Sequence, residues 1–322
     1  MLVIRVGLSA SHIPSIVAAF PPRSGVLELV IRIIMASTGT ALALRAGGIT
    51  ELFYSHTKRS EEETARDAQL GIDRRCFSNL WEEPMMVPYI PLLRHEFLQG
   101  SSGTCVEAWF QSAKCSDEDA AKFCFALSNA KLQAQFGRGH LPLSQEQVKY
   151  FQLRDMSLTK VDVTQVFADA DMSWLARSYR ALMKNKKQLF DDDDESEELA
   201  WADENHILTY VPELQADWEA TKNQLMFELQ KAKFGPTGQA TAKASAVCMV
   251  AAGVLHVTEH AEDAVWGDKK NGKGNNRLGK LIAAVLQHKN GNGEQELAWS
   301  AALQASLEEP AVDTVHYPTT AP

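Results

Sequence analysis

Cysteine is scarce in this chain. Its five thiols (Cys76, Cys105, Cys115, Cys124, Cys248) are an odd number, with no CxxC pair and no His/Cys ligand spacing. That pattern excludes a disulfide framework and a structural zinc site, and it suits a reducing compartment. Positive charge is also short: the 322 residues carry a formal net charge of -9. Nothing in that balance attracts nucleic acid globally, so a nucleic-acid substrate would need a local basic patch. Acids are nearly missing from the first fifty residues, where Glu28 stands alone against Arg5, Arg23, Arg32 and Arg45. This composition reads as an organelle-targeting segment, a disordered extension, or upstream sequence ahead of a working start at Met35. It contains no uncharged run of about twenty residues, so no membrane span is expected there. The chain as a whole reads as soluble and intracellular, in cytoplasm or nucleus unless that segment directs it elsewhere.

Folded sequence is expected from Leu52, as one mainly helical α+β domain over 51–290, followed by a tail over 291–322. "LFYSH" reads as a strand or turn, "TKRSEEETARDAQ" as a charged solvated stretch, and "CFSNLWEEP" as a loop kept irregular by Pro84, Pro88 and Pro91 beyond it. A helix is predicted from Thr104 to Cys115 and a longer one from Asp117 to Phe136, closed by Gly137. Helical pattern continues from Ser144 to Phe190, where "DDDDESEE" (Asp191 to Glu198) interrupts it as a solvated acidic run. Pro212 is expected to open a further helix that stops at Gly235-Pro236. "TAKASAVCMVAAG" predicts a buried helix and "LHVTEH" a short strand. His256 and His260 lack a third ligand in register, so no metal site is expected. The last predicted helix runs from Asn276 to His288.

Two stretches carry chemistry. In "VEAWFQSAK", Val106, Trp109, Phe110 and Ala113 make an apolar face, while Glu107, Gln111 and Lys114 share another stripe. An acid, an amide and an amine on one helix suit proton transfer and nucleophilic attack. The same residues permit a structural reading, in which Thr104-x-x-Glu107 is a capping box and Lys114 a surface lysine. In "DAVWGDKKNGKGNNRLGKL" (Asp263 to Leu281), a glycine-rich loop runs into a helix. Glycines let backbone approach a ligand, and a helix N-terminus offers N–H groups to a phosphate. Arg138 of "GRGH" is a second phosphate candidate or, equally, a cation at a helix C-terminus.

In order, "FYS", "FSNL", "VEAWFQSAK", "FGRG", "DWEATKNQLMFELQKAKF" and "TEHAEDAVWGDKKNGKGNNRLG" (Thr258 to Gly279) resemble the YbiA-like, or NADAR, family. The likeness runs from Leu52 to Gln287. It is broken by about seventy extra residues (Leu141 to Ala216), which are expected to be dispensable for the chemical step. The chain also reads Glu107-Ala108-Trp109 where the family often has Glu-His-Tyr. The resemblance implies an N-glycosidase that hydrolyses the bond between ribose C1′ and an exocyclic amine. Two substrates follow from it: ADP-ribose on guanine in nucleic acid, or a small phosphorylated ribosylamine of riboflavin synthesis. A silent ADP-ribose-binding module is the alternative of a different class. No cofactor is implied. Glu107, Lys114 and Asp263 are the implied catalytic residues. Phe77, Asn79 and Trp109 are implied to contact substrate, Trp266 and Gly267 to face the base or ribose, and Lys273, Gly274, Asn276 and Arg277, with Arg138, to hold phosphate.

Overall fold

The computed structural model describes residues 49–53, 61–162, 206–251, 254–259, 265–267, 274–290 and 298–308. The expected targeting segment, the acidic run, His260, Asp263, Lys273 and the far C-terminal tail lie outside them. The described chain is mixed α+β, mainly helical with short strands, and divides into two compact units, one within 79–238 and the other formed by residues on either side of it. Among the described residues, no helix is long and apolar enough to cross a membrane.

The outer unit begins with β1 (Ile49–Phe53), then α1 (Glu61–Leu70) and a 3-10 turn at Arg74–Phe77. From Glu61 onward the charged stretch is therefore helical. Asp67 of α1 turns inward, where its Oδ1 accepts from Arg74 Nε at 2.6 Å. This unit resumes with α7 (Ala240–Ala251), β6 (Val254–Glu259), α8 (Arg277–Asn290) and α9 (Ala301–Glu308), the labels α2 to α6 being kept for the inner unit. Strands β1 and β6 pair in parallel, with Leu52 opposite Thr258. The helix expected last is thus followed by another.

The inner unit holds β2 (Met85–Met86), β3 (Ser102–Gly103), α2 (Val106–Lys114), α3 (Glu118–Ala126) and α4 (Ala130–Gly137). It continues through α5 (Gln145–Gln152), β4 (Thr159–Asp162), β5 (His206–Thr209) and α6 (Trp218–Phe234). The single long helix expected over Asp117 to Phe136 is two. Leu127 is extended, and the Asn129 side chain accepts from Leu132 N–H, so a fresh N-cap starts α4. α6 begins at Trp218 rather than at Pro212, because residues 213–215 are extended and hydrogen-bond to the end of α2.

The described flanks of the extra residues, 141–162 and 206–216, are not a detachable appendage. Leu141, Leu143, Val148, Phe151 and Tyr210 pack with Phe136 in one buried cluster. Tyr210 stacks on Phe151 at 4.6 Å and on Phe136 at 5.6 Å, and Asp162 pairs with His206 across the antiparallel β4–β5 ladder. Both flanks of the insertion therefore belong to the core of the inner unit.

Candidate active site

α2 carries the acid–amine stripe, and both its ends are fastened. At the N-terminus the cap is Cys105, whose side chain makes no capping bond, and the Asn79 carbonyl accepts from Glu107 N–H. The capping box read at Thr104 and Glu107 does not form. The backbone of the "FSNL" motif does that job, and Glu107 Oε1 instead accepts from Gln111 Nε2 at 2.7 Å. At the C-terminus, Gln215 N–H donates to Lys114 O, while His95 Nε2 and Gln215 Nε2 each approach Cys115 O at 2.8 Å. Glu107 and Gln111 are buried and Lys114 is partly exposed, so the stripe lies inside the fold. Seven residues separate acid from amine, or roughly 10 Å of helix axis.

The ammonium of Lys114 donates to Gly137 O at 2.5 Å. Burial lowers its pKa from the ordinary lysine value, the Arg138 cation adds to that, and Cys115 and Glu107 oppose it. An amine so placed is easier to deprotonate than a surface lysine. Burial pushes the Cys105 and Cys115 thiols up to about 12, and Cys124 upward as well, which disfavours the thiolate at these three positions.

Gly137 joins the two ends of the stripe. Its carbonyl holds Lys114, and a Cβ on it would lie 1.8 Å from Gln111 Oε1, the amide that holds Glu107. Gly137→Ala is expected to displace Gln111 and to cost about 1–3 kcal/mol, as overpacking does. Urea denaturation checks this, and an unchanged midpoint would show that Gln111 has room to yield.

Other expected site residues fall differently. Asn79 is buried, accepting from Gln230 Nε2 at 2.7 Å and donating to Met226 Sδ at 3.4 Å. Trp109 is a correction: it has no exposed surface. Its Nε1 donates to Ser101 Oγ and its ring packs edge-on against Phe125 and over Gly103, so it is a core residue with no face for a ligand. Phe77 is likewise fully buried.

In the outer unit, the helix start read as a phosphate cradle is already occupied. The N–H groups of Asn276, Arg277 and Leu278 donate to the carbonyls of Gly267, Val265 and Trp266. Asn276 adopts a left-handed conformation (φ 48°), and its amide clamps β6: Oδ1 accepts from Glu259 N–H and Nδ2 donates to Val257 O. Gly279 has no space for a Cβ, which would meet Val257 O at 2.1 Å. Arg277 is paired with Glu308 at 2.5 Å. These bonds occupy the backbone N–H groups that were expected to cradle a phosphate, and they commit the Asn276 amide to β6. Gly267 and Gly274 are buried, and Trp266 keeps part of its surface exposed.

Sequence reasoning passed over His140 and the buried face of α6. Gln230 and Lys233 lie one turn apart there, both without exposed surface. Polar residues recurring at helical spacing in "NQLMFELQKAK" were the available signal.

No family model matches the chain. Proteins named N-glycosidase YbiA from Shigella flexneri serotype 5b and Shigella sonnei are 40% identical to it over 75 residues, and that of Escherichia coli K12 is 39% identical. The match spans 23% of this chain and 44% of each relative, under half the length of these curated proteins. The NMR structure of the E. coli YbiA protein aligns with 80% of this chain and 98% of its own, at 18% identity and a TM-score of 0.40. Over that 75-residue segment, the chain is similar to N-glycosidases of the YbiA type, the family that its motifs resemble.

Proposed function

We propose that this protein is an N-glycosidase that hydrolyses the bond between ribose C1′ and an exocyclic amine, with ADP-ribose on guanine as its substrate. The observation that carries the reading is the α2 stripe. A buried carboxylate is oriented by an amide, and an amine of lowered basicity stands two turns away on the same helix. A binding module would need neither group.

In the proposed reaction the neutral amine of Lys114 attacks C1′. The bond from C1′ to the exocyclic nitrogen breaks, its electron pair stays on that nitrogen, and Glu107 supplies the proton. The C1′–O4′ bond of the resulting N-ribosyl lysine then breaks, its electron pair goes to O4′, which takes a proton, and the lysine nitrogen lone pair forms the C=N bond, so the ring-opened sugar is held on Lys114 as an imine. Water adds to C1′, the lysine nitrogen departs with the C–N pair, and the proton balance is restored through Glu107. Positioned acid–base help of this kind contributes about 10²–10⁴ in rate, and amine nucleophiles form such imines readily when desolvated. We further propose that Asp263 accepts from ribose hydroxyls and that Trp266 offers a face to the base.

The test is direct. Purified protein is incubated with an ADP-ribosylated guanine oligonucleotide and, separately, with a small phosphorylated ribosylamine. Release of unmodified guanine oligonucleotide is the expected result. Release from the small compound alone would overturn the substrate assignment, and tight ADP-ribose binding without turnover of either would overturn the enzyme.

A further inference from the structure

The Gln111 amide is bonded at one end only. Its Nε2 donates to Glu107 Oε1 at 2.7 Å, while its Oε1 is buried and meets no donor among the described residues. The residue is 6% exposed, so bulk solvent does not serve that oxygen. A buried amide oxygen without a donor is uncommon and costly. Gly137 shows where the oxygen lies. A Cβ there would stand 1.8 Å from Gln111 Oε1, so the oxygen rests against the Cα of Gly137.

The Lys114 ammonium donates to the carbonyl of that same glycine. Gln111 and Lys114 are also three apart on α2, which sets their Cβ atoms about 5–6 Å from each other. An ammonium carries three N–H groups, and Gly137 O takes one of them. A donor with more than one N–H and a buried acceptor without a donor therefore share one neighbour.

We infer that Gln111 is a positioning residue for Lys114: Gly137 O and Gln111 Oε1 receive the two N–H bonds of the neutral amine, which turns its lone pair toward C1′. The inference rests on the N-glycosidase reading and deepens it at the same site. An ammonium bonded to both oxygens has one N–H direction left. That proton is the one lost on deprotonation, and the lone pair in its place is the nucleophile. Without the second acceptor the amine turns about its Cε–Nζ bond and the lone pair has no fixed aim. The same amide holds Glu107 through Nε2, so one side chain orients both the proton carrier and the nucleophile. The consequence has a definite sign. A neutral acceptor stabilises an ammonium more than an amine, so losing Gln111 Oε1 lowers the pKa of Lys114. Loosened packing does the opposite, because water then reaches the ammonium and burial no longer depresses it. The other groups acting on Lys114 are Glu107 on α2, Cys115 at its end, Cys124 on α3, and Arg138 and His140 after α4.

Competitive acetylation of the full chain, read by mass spectrometry on the Lys114 peptide across pH, gives the midpoint of its deprotonation without any substrate. Gln111→Met keeps the length of the side chain and is expected to lower that midpoint by about one unit. Gln111→Glu puts an anionic acceptor in the same place and is expected to raise it by at least as much. Circular dichroism establishes which variants are folded, and either one alone decides the matter. An unchanged midpoint in a folded variant, or a rise in Gln111→Met toward the ordinary lysine value, would overturn the role. On an ADP-ribosylated guanine oligonucleotide, kcat of Gln111→Met is expected to fall about tenfold or more with KM changed less. An unchanged kcat would overturn the role as well. Opposite midpoint shifts in the two variants, without turnover of any N-ribosyl compound by the wild type, would remove the enzymatic reading and keep the hold of Gln111 on Lys114. Turnover by the wild type with unchanged midpoints in the variants would do the reverse.

Discussion

Excising residues 144–213 and joining the ends is expected to unfold the inner unit. The deletion takes Val148, Phe151 and Tyr210 from the cluster around Phe136 and removes Glu213, whose carbonyl accepts from Ser116 N–H just beyond α2. Each large apolar side chain buried contributes about 1.5–3 kcal/mol. Losing three of them, with the newly exposed faces of Phe136 and Leu143, removes an amount comparable to the whole stability of a domain, about 5–15 kcal/mol. Circular dichroism with a thermal melt should show no cooperative transition for this unit. A shorter excision has the opposite expectation. Asp162 and His206 are cross-strand partners, so a two-residue Asn-Gly turn in place of 163–205 closes β4 and β5 as a hairpin. If the long excision melts like the full chain, the flanks are dispensable after all and the buried cluster contributes little.

The second large effect is expected from Glu107→Gln. The substitution keeps volume and polarity at a buried position beside Gln111, so the fold should survive, yet it removes the only carboxylate on α2. Turnover should fall by about 10²–10⁴, with ADP-ribose binding changed far less. Single-turnover kinetics alongside calorimetry separates these quantities. Equal losses in binding and turnover would make Glu107 a ligand contact rather than a proton carrier.

How much of this was legible without coordinates follows from where the signals lie. The α2 stripe is a local pattern, because residues at i, i+4 and i+7 share a helix side whatever surrounds them. The stop at Gly235 and the alternation of β6 are local as well. The break before α4 was also written in the chain, since Asn129 is a good N-cap, but the apolar run across it reads as continuous. The failures at Thr104 and at the start of α8 share one cause. Both readings assumed that a helix N-terminus lacks partners, whereas the Asn79 carbonyl serves the first and the carbonyls of 265–267 serve the second. Those donors are satisfied by chain distant in sequence or by a turn whose shape no periodicity announces. The contact of Lys114 with the end of α4 has no local signature either. It exists because the end of α4 lies against α2, which Gly137 permits by lacking a side chain.

The central claim is that Lys114 becomes covalently joined to the sugar. Borohydride added during turnover reduces an imine to a stable amine and fixes the sugar on the lysine that formed it. The account predicts a mass increase on the peptide carrying Lys114, absent from Lys114→Arg, which keeps the charge but forms no labile imine and should bind substrate without turning it over. Because burial lowers the pKa of Lys114, trapping should rise with pH and level off below 10.5, the ordinary lysine value. No adduct in the wild-type protein, together with near-normal turnover by Lys114→Arg, would contradict the claim and leave direct attack by water, assisted by carboxylates, as the mechanism.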